Sequence, residues 1–129
     1  MLYLDSSAIV KLVAREPETP ELVEAVRADP AVVSSALAWT EVIRAVRRAR
    51  GRVARARDVL EGIALVPIDD GILRGAADLA PVALRTLDAI HVATALSLRG
   101  DLASLVTYDD RLAAAATAAG IRVVAPGTR

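Results

Sequence analysis

Five short apolar runs, separated by stretches of helical pattern, constrain this chain more than any other feature of its sequence. The runs are LYL at 2–4, AVVSS at 31–35, ALVPI at 64–68, SLVT at 104–107 and IRVV at 121–124, each the length of a buried strand. Between them, apolar spacing predicts helices over 7–14, 19–28, 36–50, 53–62, 70–79, 86–99 and 110–119, with Gly51, Gly100 and Gly120 as C-terminal stops. Strands joined through helices do not pair as hairpins; they require crossover connections. The expectation is therefore an α/β fold whose five-stranded, mostly parallel sheet is covered on both faces, with its ligand site beyond the carboxyl ends of the strands. The stretch APVALR at 80–85 reads as the most irregular connection, and no internal repeat or low-complexity tail breaks the pattern.

A chain of 129 residues suits one domain with one core, expected here over 1–129. With no Phe and one Trp among abundant Ala, Val and Leu, that core should be aliphatic. No apolar run approaches the roughly 18–20 residues of a membrane span, and MLYLDSSAIV lacks the basic start of a secretory signal, so a cytoplasmic protein is expected. There is no cysteine and one histidine, His91. That inventory excludes disulfides, thiol catalysis and the usual Cys/His zinc sites, and any metal would have to be held by oxygen.

Four acids stand out once they are placed on this frame. Asp5 follows the first apolar run and Asp109 the fourth, so both should emerge at one rim of a parallel sheet. Asp88 falls in the first turn of its helix, with Thr86 as the expected N-cap. Glu41 lies beside the inward face outlined by Leu37, Ala38, Val42 and Ala45. Taken singly, Asp5 and Asp109 read as helix caps and Asp88 as a charge complementing a helix dipole, worth about 0.3–1 kcal/mol. Glu41 is harder to explain, because an acid near a core needs a partner or a raised pKa.

Taken jointly, gathered carboxylates repel by about 4 kcal/mol per pair at 4 Å and an effective dielectric of 20, which implies a compensating cation. Oxygen-only ligation points to Mg²⁺ or Mn²⁺, and a divalent ion activating water against phosphorus points to hydrolytic phosphoryl transfer. His91, three residues after Asp88, reads either as a satisfied core histidine or as a hydrogen-bond partner supporting the site.

Charge distribution adds a second feature, although 16 basic residues balance 16 acidic ones overall. Arg44, Arg47, Arg48, Arg50, Arg52, Arg55 and Arg57 follow one another with no acid before Asp58. This block is either a solvated surface on two helices or a surface that meets phosphates.

Four segments, YLDSSAIVKL, VVSSALAWTEVIRAVRRA, LRTLDAIHVATALSL and LVTYDDRLAAAATAAGI, together closely resemble the PIN domain, specifically the VapC toxins of bacterial type II toxin–antitoxin pairs. The resemblance spans nearly the whole chain. It implies a three-layer α/β/α fold, Mg²⁺-dependent endoribonuclease activity, a homodimer, and inhibition by a cognate antitoxin protein. The family's acidic positions correspond to Asp5, Glu41, Asp88 and Asp109, as catalytic and metal-binding residues, and its small hydroxyl positions to Ser7 and Thr107. Asp110, next to Asp109, is left as either a helix cap or an auxiliary ligand.

Two other classes fit less well. A phosphorelay receiver also sets acids around Mg²⁺ at strand ends, but it has an acidic pair after the first strand and a lysine after the last. Here Asp5 is followed by Ser6 and Ser7, and the one lysine is Lys11. A catalytically silent PIN-like module that binds RNA or protein through the arginines would have no reason to bear the repulsion of intact acids.

Overall fold

Strand β1 (Leu2–Leu4) occupies the centre of the sheet and is fully buried, as its three apolar residues dictate. In the computed structural model, which describes residues 1–128, it pairs on one side with β2 (Val32–Ser35) and on the other with β4 (Ser104–Val106). Beyond them lie β3 (Ala64–Val66) and β5 (Val123–Val124), giving the order β3-β2-β1-β4-β5 with every pairing parallel.

The chain winds outward from β1 through α1 (Ser6–Val13), α2 (Thr19–Ala28), α3 (Leu37–Arg48) and α4 (Val53–Glu61). It then crosses back through α5 (Asp70–Ala77) and α6 (Thr86–Ser97) to β4, and ends with α7 (Asp110–Ala118) before β5. All five strands and seven helices expected from the sequence are present, most of them trimmed by one to three residues at their ends.

Alternation along β1 sorts the layers. Leu2 and Leu4 face one side and pack with Ile9, Leu22, Val42 and Leu60 from α1 to α4. Tyr3 faces the other and packs with Val92 and Leu112 from α6 and α7, while α5 and α6 share a further apolar cluster around Ile72 and Ile90. The result is a three-layer α/β/α sandwich with an aliphatic core.

Winding reverses at β1, so the carboxyl ends of β1 and β4 form a topological switch point, where the connections that follow diverge to opposite faces of the sheet. Asp5 and Asp109 stand at this rim.

Two helix ends show how the chain turns. After α7, Gly120 takes a left-handed φ of 89°, and its N–H and that of Ile121 return to the carbonyls of Thr117 and Ala116. After α3 the same turn is built, with Arg50 and Gly51 donating to Arg47 and Val46, but the left-handed position falls on Arg50 at φ 54°. Gly51, expected to serve as that stop, lies one residue too late. Gly100 needs no positive φ either, since α6 closes at Leu98.

Candidate active site

Asp5 reaches the rim because β1 ends there, and its side chain caps α1 by accepting from the Ala8 N–H at 3.0 Å. The same Oδ1 accepts from the Ser7 hydroxyl at 2.6 Å, and Oδ2 accepts from the Thr107 hydroxyl. Ser7 in turn accepts from the Tyr108 N–H and Thr107 from the Asp109 N–H, both at 3.0 Å, so the two hydroxyls tie the β4 end to the β1 end. Asp5 is only 3% exposed, and burial pushes its carboxyl above the ordinary range in spite of these donors.

Asp109 caps α7, its Oδ1 accepting from the N–H groups of Arg111 and Leu112. Both acids are therefore caps as well as rim residues, and the two sequence readings coincide. Asp110 is an exposed residue in the first turn of α7, not its cap.

Glu41 projects from the second turn of α3, half-buried. Its Oε1 accepts from Ser6 Oγ and from His91 Nε2, each at 2.6 Å. Burial raises this carboxyl, but hydrogen bonds from His91 and Ser6 outweigh it, and the net displacement is downward. His91 thus satisfies both readings, as a core histidine 1% exposed and as the partner of a site acid, Glu41 rather than its helix neighbour Asp88.

Asp88 lies in the first turn of α6, but the cap of that helix is Arg85 rather than Thr86, and no side-chain cap bond forms there. Burial raises the Asp88 carboxyl first, followed by the charge of Asp109 and, less strongly, those of Glu41 and Asp5, with His91 opposing. Asp88 therefore lies within electrostatic reach of the other three acids. The net effect of burial and neighbouring charge is to disfavour ionisation of Asp88.

The donor set suits a hard divalent cation. Every candidate ligand is a carboxylate; Asp88 accepts no hydrogen bond among the described residues, and the hydrogen bonds to Glu41 and Asp109 fall on one oxygen each. Among the described residues no group of three or more His, Cys, Asp or Glu side chains is drawn together tightly enough to hold an ion unaided. A divalent cation bound in so open an arrangement would take its remaining ligands from water and substrate oxygens.

Ser6 and Tyr3 were not foreseen as part of this region. Ser6 follows Asp5 directly, and Tyr3 is the residue of LYL whose alternation turns it toward α6, so strand parity and the position of His91 were the available signals. The arginine block divides: Arg44, Arg47 and Arg48 line one shallow groove on α3, whereas Arg55 on α4 donates to the Leu12 carbonyl at 3.3 Å.

The PIN domain family model matches residues 2–118. The chain is 50% identical over 127 residues to ribonuclease VapC46 of Mycobacterium tuberculosis, covering 97% of each protein. Its fold is similar to that of a toxin–antitoxin complex chain from Klebsiella pneumoniae, with a TM-score of 0.76 at 24% identity over 98% of both chains. It is similar also to Mycobacterium tuberculosis VapC20, a sarcin–ricin loop cleaving toxin, with a TM-score of 0.73 at 14% identity over 98% of this chain and 100% of that one.

Proposed function

The chain belongs to the PIN-domain family, and from that premise we propose that it is a Mg²⁺-dependent endoribonuclease, the toxin of a type II toxin–antitoxin pair. Near-full-length similarity to a named ribonuclease is the observation that carries the activity. In this reading the chain is a single PIN domain acting in the cytoplasm, with RNA as substrate and a cognate antitoxin and a second copy of the chain as partners. Among the described residues no helix is long and apolar enough to cross a membrane.

Asp5, Glu41, Asp88 and Asp109 are the residues that would hold the ion, with Mn²⁺ as an alternative to Mg²⁺. When bound, such a cation supplies Lewis acidity for attack of water on phosphorus, leaving the ribose 2′-hydroxyl unused. The protein's own part is positional. Ser7 and Thr107 fix both oxygens of Asp5, the α7 amides fix one oxygen of Asp109, and Ser6 with His91 fixes one oxygen of Glu41. Each acid fixed in this way needs little reorganisation when charge develops beside it.

Incubation of the purified chain with RNA, with Mg²⁺ and with EDTA, tests the proposal through the ends produced. Hydrolysis by water gives a 5′-phosphate and a 3′-hydroxyl, and EDTA abolishes it. Cyclic 2′,3′-phosphate ends that persist in EDTA would overturn the metal mechanism, and uncut RNA under every metal condition would favour a silent binding module.

A further inference from the structure

One buried side chain spans three of the four elements that carry the acids. His91 sits on α6 one turn after Asp88; its Nε2 lies 2.6 Å from Glu41 Oε1 on α3, and its Nδ1 lies 2.8 Å from the hydroxyl of Tyr3 on β1, the strand that ends at Asp5. Tyr3 is itself fully buried and meets the imidazole edge-on, with ring centroids 5.9 Å apart and planes at 84°. An ionised carboxylate only accepts hydrogen bonds, so Nε2 carries a hydrogen, and in the neutral imidazole Nδ1 then accepts from the Tyr3 hydroxyl.

A leucine would fill the same core position without burying two polar nitrogens, which are costly to desolvate unless both are paired. Here both are paired, one of them to a charge. Volume alone does not account for that choice of residue, whereas orientation of Glu41 does.

We propose that His91 is a positioning residue, a buried strut whose Nε2–H, held in place by Tyr3, fixes Glu41 Oε1 and sets the separation of Glu41 from Asp88. Glu41 Oε1 is engaged by both His91 and Ser6, which leaves Oε2 as the oxygen without a hydrogen bond among the described residues. The functional consequence rests on the proposed metal-dependent nuclease activity; the hydrogen-bond geometry does not.

The chain's single histidine makes the first measurement direct, because a long-range ¹H–¹⁵N spectrum of the whole protein contains one imidazole. The wild type is expected to show Nε2 protonated. In Tyr3→Phe the Nδ1 resonance should move as it loses its donor. The second measurement compares Mn²⁺ binding by calorimetry, and kcat and KM for RNA cleavage, in wild type, His91→Leu and His91→Gln. Loss of such a partner should lower metal affinity and kcat by about 10- to 100-fold in the leucine variant, with KM for RNA little changed. Glutamine, whose amide can donate from near the Nε2 position, should recover most of both. If thermal melts show that His91→Leu does not fold, His91→Met, which adapts better to an irregular core site, replaces it.

Protonation on Nδ1 alone, a folded apolar variant with wild-type Mn²⁺ affinity, or a glutamine variant no better than leucine would each overturn the strut. A wild-type protein that neither binds Mn²⁺ nor cuts RNA would overturn the nuclease reading instead, leaving the imidazole spectrum to judge the geometry.

Discussion

Thr107 and Asp5 are joined across the seam between β4 and β1, the Thr107 hydroxyl donating to Asp5 Oδ2 while it accepts from the Asp109 N–H. One hydroxyl therefore links the Asp5 carboxylate to the backbone of Asp109, at the far end of the chain.

Thr107→Val keeps the shape and removes that hydroxyl. Leaving a buried acceptor short of its donor costs about 1–3 kcal/mol, measured by denaturant unfolding near neutral pH. The penalty should shrink in acid. Asp5 already titrates above its ordinary value because it is buried, and loss of a donor raises it further. A group with a raised folded pKa contributes its full stability below the unfolded pKa and loses it as pH rises through the folded pKa, so the variant is weakest where Asp5 is charged. Thr107→Ser should restore most of the loss, and equal penalties at pH 4 and pH 7 would show that Asp5 is not the group affected.

Arg50 predicts a gain. It holds φ 54° at the left-handed position after α3, where a side chain is strained and glycine is not. Arg50→Gly should therefore raise stability by up to about 1 kcal/mol, the relief of strain being partly offset by the greater freedom of glycine when unfolded. A thermal melt decides it. A lower melting temperature would mean that the Arg50 side chain contributes more than its backbone costs.

The layer order was legible in the sequence because β1 to β5 are short apolar runs between helical stretches, a pattern with few alternatives to a parallel sheet. Asp5 and Asp109 were legible for the same reason, as residues that follow two strands. What could not be read was which side chains meet across the layers. The contact of His91 with Glu41 bridges 50 positions and that with Tyr3 bridges 88, and no local period encodes either. The left-handed turn after α3 was misplaced by one residue because glycine preference is only a preference, and two backbone hydrogen bonds hold Arg50 there instead.

Arg44 and Arg48 stand three and seven residues after Glu41, so they continue along the same face of α3 away from the acidic site, with Arg47 beside them. All three are exposed, and none is ion-paired among the described residues. Arg47 and Arg48 also complement the carboxyl end of the helix dipole, which by itself would leave RNA binding untouched. If the stripe instead carries substrate phosphates, replacing all three by Gln should lower RNA affinity and reduce the slope of log K against log salt by about 0.7 per lost contact with a single strand, or about 2 in all. An unchanged slope would remove these residues from the RNA surface. Stability changes of the triple variant should be small in either case, since exposed charges contribute little.

Asp88 provides the sharpest test of the acidic cluster, because the competing explanations predict opposite signs. Its carboxyl is raised by burial and then by the charge of Asp109, so without a cation its ionisation works against the folded state. Its stabilising contribution is present below the unfolded pKa and lost as pH rises through the folded one. Asp88→Asn nearly preserves size and removes the charge. In EDTA the variant should melt at the same temperature as wild type or higher, with the difference growing as pH rises from the acid range toward neutrality. Ligand binding stabilises the folded state in proportion to its affinity, so Mg²⁺ should raise the variant's melting temperature less than it raises that of wild type. RNA cleavage should fall by orders of magnitude. A purely helical role, in which Asp88 offsets the amino end of α6, requires the reverse: a loss of up to about 1 kcal/mol, with the Mg²⁺ response and cleavage intact. Melts across pH with and without Mg²⁺, beside one cleavage assay, separate the two, and a variant that cuts RNA at the wild-type rate would place Asp88 outside the reaction.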